Sequence, residues 1–178
     1  MNDAMPACTD LGSRILKVNH AGEHGAVHIY AGQIFAARFT APSLVAELQE
    51  FKRHEEGHRA IFQEELRRRG KSRCRSYRLC ALGGYLLGLF TGLFGKSAIA
   101  ATTVAVERVV LHHLKHQVRL LQDQDLLAVL AISKIVAEEQ QHHDQSATHL
   151  TGLRLWSRLL TPIVTGATAS VIWLGMRL

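Results

Sequence analysis

One doubled spacing constrains the fold of this 178-residue chain more than any other feature of its sequence. In each half of the chain, a glutamate stands thirty-two positions before a Glu-x-x-His motif, and the second half repeats the first at an offset of eighty-four residues. The six residues are Glu23, Glu55 and His58 in the first half, and Glu107, Glu139 and His142 in the second. Within each motif, the i, i+3 spacing puts the carboxylate and the imidazole on one face of a helix, so both can reach the same point.

The middle of each interval carries turn signals. The first midpoint, residue 39, precedes Ala41-Pro42-Ser43, and the second, residue 123, lies within the polar run 122–125. Proline disfavours helix at the residue before it and pre-sets a turn. Both intervals therefore predict antiparallel helical hairpins, with ligand residues about sixteen residues, or roughly 24 Å along the helix, from the turn on each arm. The first hairpin would bring Glu23 level with Glu55, and the second would bring Glu107 level with Glu139.

Four carboxylates and two imidazoles on four helices are the ligand set of ferritin-like proteins that hold two iron or manganese ions. The spacing therefore predicts an all-α chain, a ferritin-like four-helix bundle, with two metal ions. By symmetry, Glu55 and Glu139 are expected to bridge the ions, with Glu23 and His58 on one and Glu107 and His142 on the other. Iron supplies the redox change that zinc lacks, so two Fe(II) ions could together give two electrons to O2. The ligands alone do not exclude manganese as the bound metal.

Six helical segments are predicted, at residues 11–39, 43–69, 77–94, 97–121, 125–150 and 154–173. The first, second, fourth and fifth would form the bundle, and Gly70 would end the second. The length of the chain and its hydrophobic content of 47% predict one domain over residues 11–178, after a flexible N-terminus at residues 1–10. Three cysteines without Cys-x-x-Cys spacing favour a reducing compartment.

Residues 79–95 and 159–176 are uncharged, apolar and bounded by basic residues. Both are shorter than the roughly twenty residues of a membrane-spanning helix. The glycines of the first segment make a spanning helix there less favourable still. They predict two additional helices that lie at the membrane interface. Seven basic residues precede the first segment and, with a net charge of +6, favour anionic lipid. They are Arg67, Arg68, Arg69, Lys71, Arg73, Arg75 and Arg78. A solvated basic loop beside buried helices, or a nucleic-acid patch, would explain the same run.

Three stretches of the sequence resemble one known family. Residues 18–26 (VNHAGEHGA), 103–107 (TVAVE) and 138–144 (EEQQHHD) are similar to the demethoxyubiquinone hydroxylases of ubiquinone biosynthesis. The resemblance runs from about Arg14 to the C-terminus. It implies a membrane-associated di-iron monooxygenase that hydroxylates the ring of 3-demethoxyubiquinol with O2, and it implies that the six residues of the doubled motif are the iron ligands. The chain departs from the family at His24, where members often have Tyr, and at Leu114, where animal members have Tyr.

Several expectations follow for partners and location. The partners would be a quinol with a polyprenyl tail that enters from the lipid, an anionic membrane surface and proteins of the ubiquinone pathway, but not nucleic acid. No catalytic residue is expected apart from the metal centre. The protein would sit peripherally on the cytoplasmic side of a bacterial cell membrane, or on the inner mitochondrial membrane if it is a processed eukaryotic form. An alternative-oxidase-like quinol oxidase and a ferritin-like iron-binding protein remain alternative functions.

Four polar residues near the ligands are candidates for supporting contacts. His20 lies one turn before Glu23, and Asp144 follows His142 closely, so these two are the stronger candidates. Glu56 and Glu138 adjoin ligand positions but point about 100° away from them, so they are expected to be solvated or to support a ligand.

Overall fold

A computed structural model describes residues 9–150 and 155–177 of the chain. Within these ranges the chain forms helices and no strand, which confirms the all-α prediction. The helices are α1 (Asp10–Thr40), α2 (Val45–Arg68), α3 (Tyr77–Leu93), α4 (Lys96–Leu121), α5 (Leu126–Ser133), α6 (Val136–Thr148) and α7 (Leu155–Gly175). The predicted flexible N-terminus at residues 1–10 lies mostly outside the described part, as do residues 151–154, the last of which is the first residue of the predicted helix 154–173.

The first predicted hairpin is formed by α1 and α2. A short 3-10 turn at Pro42–Leu44 joins them, so the chain reverses where the proline signal predicted. Leu44, Leu48 and Phe51 are buried in the same cluster as Tyr30 of α1, which holds the turn end of the hairpin together. Gly70 follows α2 with a φ of 61°, a backbone conformation that favours glycine, so its predicted role as a helix stop is confirmed.

The second hairpin differs from its prediction because the expected helix over 125–150 is broken. Residues 134 and 135 separate α5 from α6. Ile132, Ile135 and Val136 surround this break, and β-branched side chains lower helix propensity. Ile132 and Ile135 are both fully buried in one core cluster, so the turn lets both side chains reach the core. The hairpin is therefore α4 followed by two shorter helices.

Glycines bring α3 into direct backbone contact with α1. Gly84, Gly88 and Gly92 of α3 are buried. A Cβ at Gly84 would overlap the carbonyl oxygen of Gly25, and one at Gly88 would overlap that of Ile29. From the sequence alone, these glycines predict only a weaker helix. In the fold they form the contact surface that joins an apolar helix to the helix carrying Glu23.

The outer faces of α3 and α7 expose large apolar side chains. On α3 these are Leu79, Leu82, Leu86, Phe90 and Leu93, and on α7 they are Leu159, Ile163, Val171, Trp173 and Leu174. Among the described residues, one segment, Trp156–Gly175 of α7, is long and apolar enough to cross a membrane by length and composition, whereas α3 is apolar but shorter. Both apolar segments of the sequence are thus helices added to the bundle.

Candidate metal centre

The two hairpins bring the six predicted ligand residues together inside the bundle. They form two groups, and within each group one ligand atom per residue lies within 4.8 Å of all the others. The first group is Glu23, Glu55, His58 and Glu139, and the second is Glu55, Glu107, Glu139 and His142. All six residues are buried. Since Glu55 and Glu139 belong to both groups, this arrangement has the donors for two adjacent cations with two shared carboxylates.

Both imidazoles turn the same nitrogen toward the carboxylates. The Nδ1 atom of His58 lies 3.0 Å from Glu139 Oε1, and the Nδ1 atom of His142 lies 3.2 Å from Glu55 Oε1. Despite these short distances, no described residue forms a hydrogen bond of acceptable geometry with either nitrogen, with Glu55 Oε1 or with the two carboxylate oxygens of Glu139. Buried polar atoms without partners are costly. Oxygen and imidazole donors that converge in this way fit a pair of divalent transition-metal ions, which would satisfy them all.

The electrostatics of the cluster favour bound positive charge. Burial, together with the neighbouring carboxylates of Glu55 and Glu139, raises the pKa of both Glu23 and Glu107 well above the ordinary value. Burial lowers the pKa of His58, but the carboxylates of Glu139 and Glu55 outweigh burial and raise it to about 12. In the absence of metal, the cluster therefore holds protons that divalent cations would displace.

Among the residues that the structure describes, three side chains outside the ligand set contact it by hydrogen bonds. Glu138 Oε2 accepts from Nε2 of His58 at 2.8 Å, and His54 Nδ1 lies 3.0 Å from Nε2 of His142. The hydroxyl of Tyr30 donates to Glu107 Oε1 at 3.1 Å. Of these three residues, only Glu138 is a candidate supporting residue on the sequence alone.

The other proposed supporting residues do not contact the ligands in this way. Asp144 is exposed and bonds to Gln140 and His143, so its predicted supporting role is wrong. Glu56 pairs with Lys52 on the surface of α2, which agrees with the solvated reading. His20 is buried, but its ring stacks on Tyr77 and neither ring nitrogen has a partner.

A cavity of about 330 Å³ connects the cluster with the two apolar helices. All four glutamates of the cluster line it, beside Asn19 and His113. Its remaining walls include Leu79, Cys80, Gly83, Gly84 and Leu87 of α3, and Ala167, Thr168, Val171, Ile172 and Leu174 of α7. Several of these residues also belong to the exposed apolar faces, so the cavity runs from those faces to the carboxylates.

Fold and site together define a ferritin-like helical bundle with a buried carboxylate and histidine cluster suited to two metal ions. The chain belongs to the family described as Ubiquinone biosynthesis protein COQ7, whose model it matches over residues 10–175. This membership confirms the resemblance found in the sequence.

Curated relatives carry hydroxylase names. The human NADPH-dependent 3-demethoxyubiquinone 3-hydroxylase, mitochondrial, is 35% identical over 174 residues, which cover 93% of this chain and 77% of the relative. The rat protein of the same name is 32% identical over 171 residues, covering 92% and 76%. The 3-demethoxyubiquinol 3-hydroxylase of Rhodospirillum rubrum is 34% identical over 139 residues, covering 78% of this chain and 65% of the relative.

Proposed function

We propose that this chain is a membrane-attached monooxygenase that hydroxylates the ring of 3-demethoxyubiquinol with O2 at a centre of two iron ions. The observation that carries the proposal is the cavity, because it joins the carboxylate cluster to the exposed faces of the two apolar helices. A quinol with a polyprenyl tail is dissolved in the bilayer. Its ring could enter the cavity between α3 and α7 while its tail stays in the lipid. The names of the relatives support the same substrate.

The iron ions would be held by the six residues of the doubled motif. Glu55 and Glu139 would bridge them, Glu23 and His58 would complete one position, and Glu107 and His142 the other; the two groups of the cluster support this division. When bound, the two ions supply the electrons that activate O2. Iron is preferred over zinc because the reaction is a redox reaction, and carboxylates with imidazoles suit iron.

The protein's own groups would orient the quinol and keep water out. One oxygen atom of O2 enters a ring C–H bond and the other becomes water, so each turnover consumes two electrons and two protons. The cavity walls are mostly apolar, which excludes water from the reacting ring. We propose that His113, which lines the cavity, hydrogen bonds a ring oxygen. Asn19 lines the same cavity but exchanges two hydrogen bonds with Gln117, at 2.8 and 3.1 Å. The electron donor would be a reduced nicotinamide, since the human and rat relatives are named as NADPH-dependent.

Membrane attachment would use the exposed apolar faces of α3 and α7 together with nearby basic residues. Arg73, Arg75 and Arg78 are exposed next to α3 and suit anionic headgroups. The prediction that Arg69 belongs to the exposed basic cluster is wrong, because its side chain is 1% exposed and forms an ion pair with Asp125 at 2.7 Å. We propose peripheral binding to the membrane that contains the quinone pool. This is the bacterial cell membrane on its cytoplasmic side, or the inner mitochondrial membrane in a eukaryotic form, which the mitochondrial names of several relatives support.

Flotation with lipid vesicles tests the attachment. The chain should float with vesicles that contain phosphatidylglycerol, and the double variant Leu82→Glu and Leu86→Glu should remain at the bottom of the gradient while keeping its bound metal. Both leucines are exposed, so the substitutions spare the core. If the variant floated as well as the unaltered chain, the face of α3 would not be the membrane-binding surface.

Complementation tests the activity. The chain is expressed in a ubiquinone-making bacterium that lacks its own hydroxylase, and the extracted quinones are analysed. We expect demethoxyubiquinone to be converted to later intermediates and ubiquinone, and the Glu55→Ala variant to leave it unconverted. Persistent demethoxyubiquinone despite expression of a metal-loaded chain would reject the assignment. Consumption of O2 with quinol but without hydroxylated product would instead indicate a quinol oxidase.

A further inference from the structure

The doubled ligand set is symmetric, but the side chains that support it are not. His54 and Glu138 each stand immediately before a shared carboxylate, and they are related by the same offset of eighty-four residues. Each reaches across to the histidine of the other half. Glu138 Oε2 lies 2.8 Å from Nε2 of His58, and His54 Nδ1 lies 3.0 Å from Nε2 of His142. One ligand imidazole is therefore supported by a carboxylate and the other by a second imidazole.

A second pair of equivalent positions breaks the symmetry in the same direction. Tyr30 and Leu114 stand seven residues after Glu23 and Glu107, respectively. The hydroxyl of Tyr30 donates a hydrogen bond to Glu107 Oε1 at 3.1 Å. Leu114 is buried and lines the same cavity as Glu23, and its side chain has no hydrogen-bond donor. Glu23 and Glu107 are the two carboxylates that belong to only one ligand group each. Glu107 accepts a hydrogen bond from a phenol, whereas the position that corresponds to that phenol for Glu23 is occupied by Leu114.

We propose that the two metal positions are inequivalent, and that the position of Glu23 and His58 binds a divalent cation more tightly and fills first. The inference rests on the two-metal centre of the proposed function. A carboxylate that accepts from the far nitrogen of an imidazole increases the basicity of the nitrogen facing the metal. A phenol that donates a hydrogen bond to a carboxylate makes that carboxylate a weaker metal ligand. Both effects favour the Glu23 and His58 position over the Glu107 and His142 position.

Supporting partners of this kind change metal affinity by about 10- to 100-fold, which sets the expected size of the difference. Calorimetry of the metal-free chain with Co²⁺ should therefore resolve two binding steps whose affinities differ by at least about tenfold. With Glu138→Gln, the tighter position should weaken by about 10- to 100-fold, so that the two steps move together or merge. With His54→Glu, which gives His142 a carboxylate, the second step should tighten. Glu56→Gln is the matched control, because Glu56 adjoins Glu55 but pairs with Lys52 and should leave both steps unchanged.

Single-position variants identify which step belongs to which position. His142→Ala should retain the tighter step, and His58→Ala should retain the weaker one, as read from the affinity and the visible spectrum of the remaining Co²⁺. Two equal steps in the unaltered chain, or no response of the first step to Glu138→Gln, would overturn the inference while leaving the two-metal centre intact. Binding of fewer than two ions per chain would reject the metal centre itself. For His54→Glu the inference predicts tighter metal binding, a result that misfolding of the variant could not produce.

Discussion

Replacing Gly88 by alanine tests whether direct backbone contact holds α3 against α1. The new Cβ would overlap the carbonyl oxygen of Ile29 and would lie 2.7 Å from its carbonyl carbon. Backbone atoms within a helix cannot rotate away as a side chain can, so the two helices must separate. Overpacking of this kind costs about 1–3 kcal/mol, and we expect the upper end of that range because the obstructing atoms are backbone. Alanine regains about 1 kcal/mol of helix propensity, which leaves a net loss of about 2 kcal/mol.

Gly83→Ala is the matched control in the same helix. Among the described residues, no atom outside the backbone of α3 itself lies within 4 Å of the Cβ position at Gly83, so the change brings the propensity gain without the collision. Thermal unfolding followed by far-UV circular dichroism in one detergent compares the two variants. For a chain of this size, Gly88→Ala should lower the unfolding midpoint by about 4–8 °C, and Gly83→Ala should raise it by about 2–4 °C.

The opposite signs of the two shifts are the decisive result. Gly83 and Gly88 belong to one helix and undergo the same chemical change, so a general effect of alanine on α3 would move both midpoints together. If Gly88→Ala proved as stable as Gly83→Ala, the α1 and α3 backbones would not be in limiting contact. Hydroxylation should also fall with Gly88→Ala, because α1 and α3 together line the cavity.

Three further predictions concern the site. Glu55→Ala and Glu139→Ala should each abolish hydroxylation and reduce bound iron below two ions per chain by elemental analysis, whereas a fully active variant with two ions would refute bridging. The metal-free chain should lose stability as pH rises above about 6.5, because Glu23 and Glu107, whose pKa values are raised, and His58, whose pKa is about 12, then keep protons in the folded state that the unfolded state releases. Below that pH the lowered pKa values of His20 and His24 act in the opposite direction. The unfolding midpoint against pH measures this, and bound Co²⁺ should remove the decline. Ala167→Trp should raise KM for a short-chain quinol by narrowing the cavity while metal content stays unchanged, and an unaltered KM would argue against this entry route.

The parts of the fold that the sequence predicted correctly depend on spacing along a single helix. The interval from Glu23 to Glu55 and the turn signal at Pro42 together determine one hairpin, because helical rise and periodicity are local properties. The contacts of His54 and Tyr30 depend instead on how the hairpins rotate against each other. No local pattern specifies that rotation, although the offset of eighty-four residues could have directed attention to His54 and Glu138 as equivalent positions.

The α3 glycines illustrate a second limit of sequence reasoning. In isolation, a glycine lowers helix propensity, so the sequence predicts that Gly84 and Gly88 weaken the helix. In the fold, the same missing side chain permits close approach of Gly25 and Ile29 on α1. Whether a glycine weakens a helix or joins it to another depends on the presence of a partner surface, and that partner lies more than fifty residues away in the sequence.

The break between α5 and α6 has an electrostatic consequence for the metal centre. Because α6 begins at Val136, Glu138 and Glu139 lie in its first turn, at the partly positive end of the helix dipole. The helix dipole stabilises a carboxylate there by about 0.3–1 kcal/mol, and by more in a partly buried position. Glu55, in the interior of α2, has no such support. If α5 and α6 were one unbroken helix, Glu139 would also lie in a helix interior and would lack this stabilisation by the helix dipole. The break therefore lets the backbone offset part of the repulsion among the crowded carboxylates.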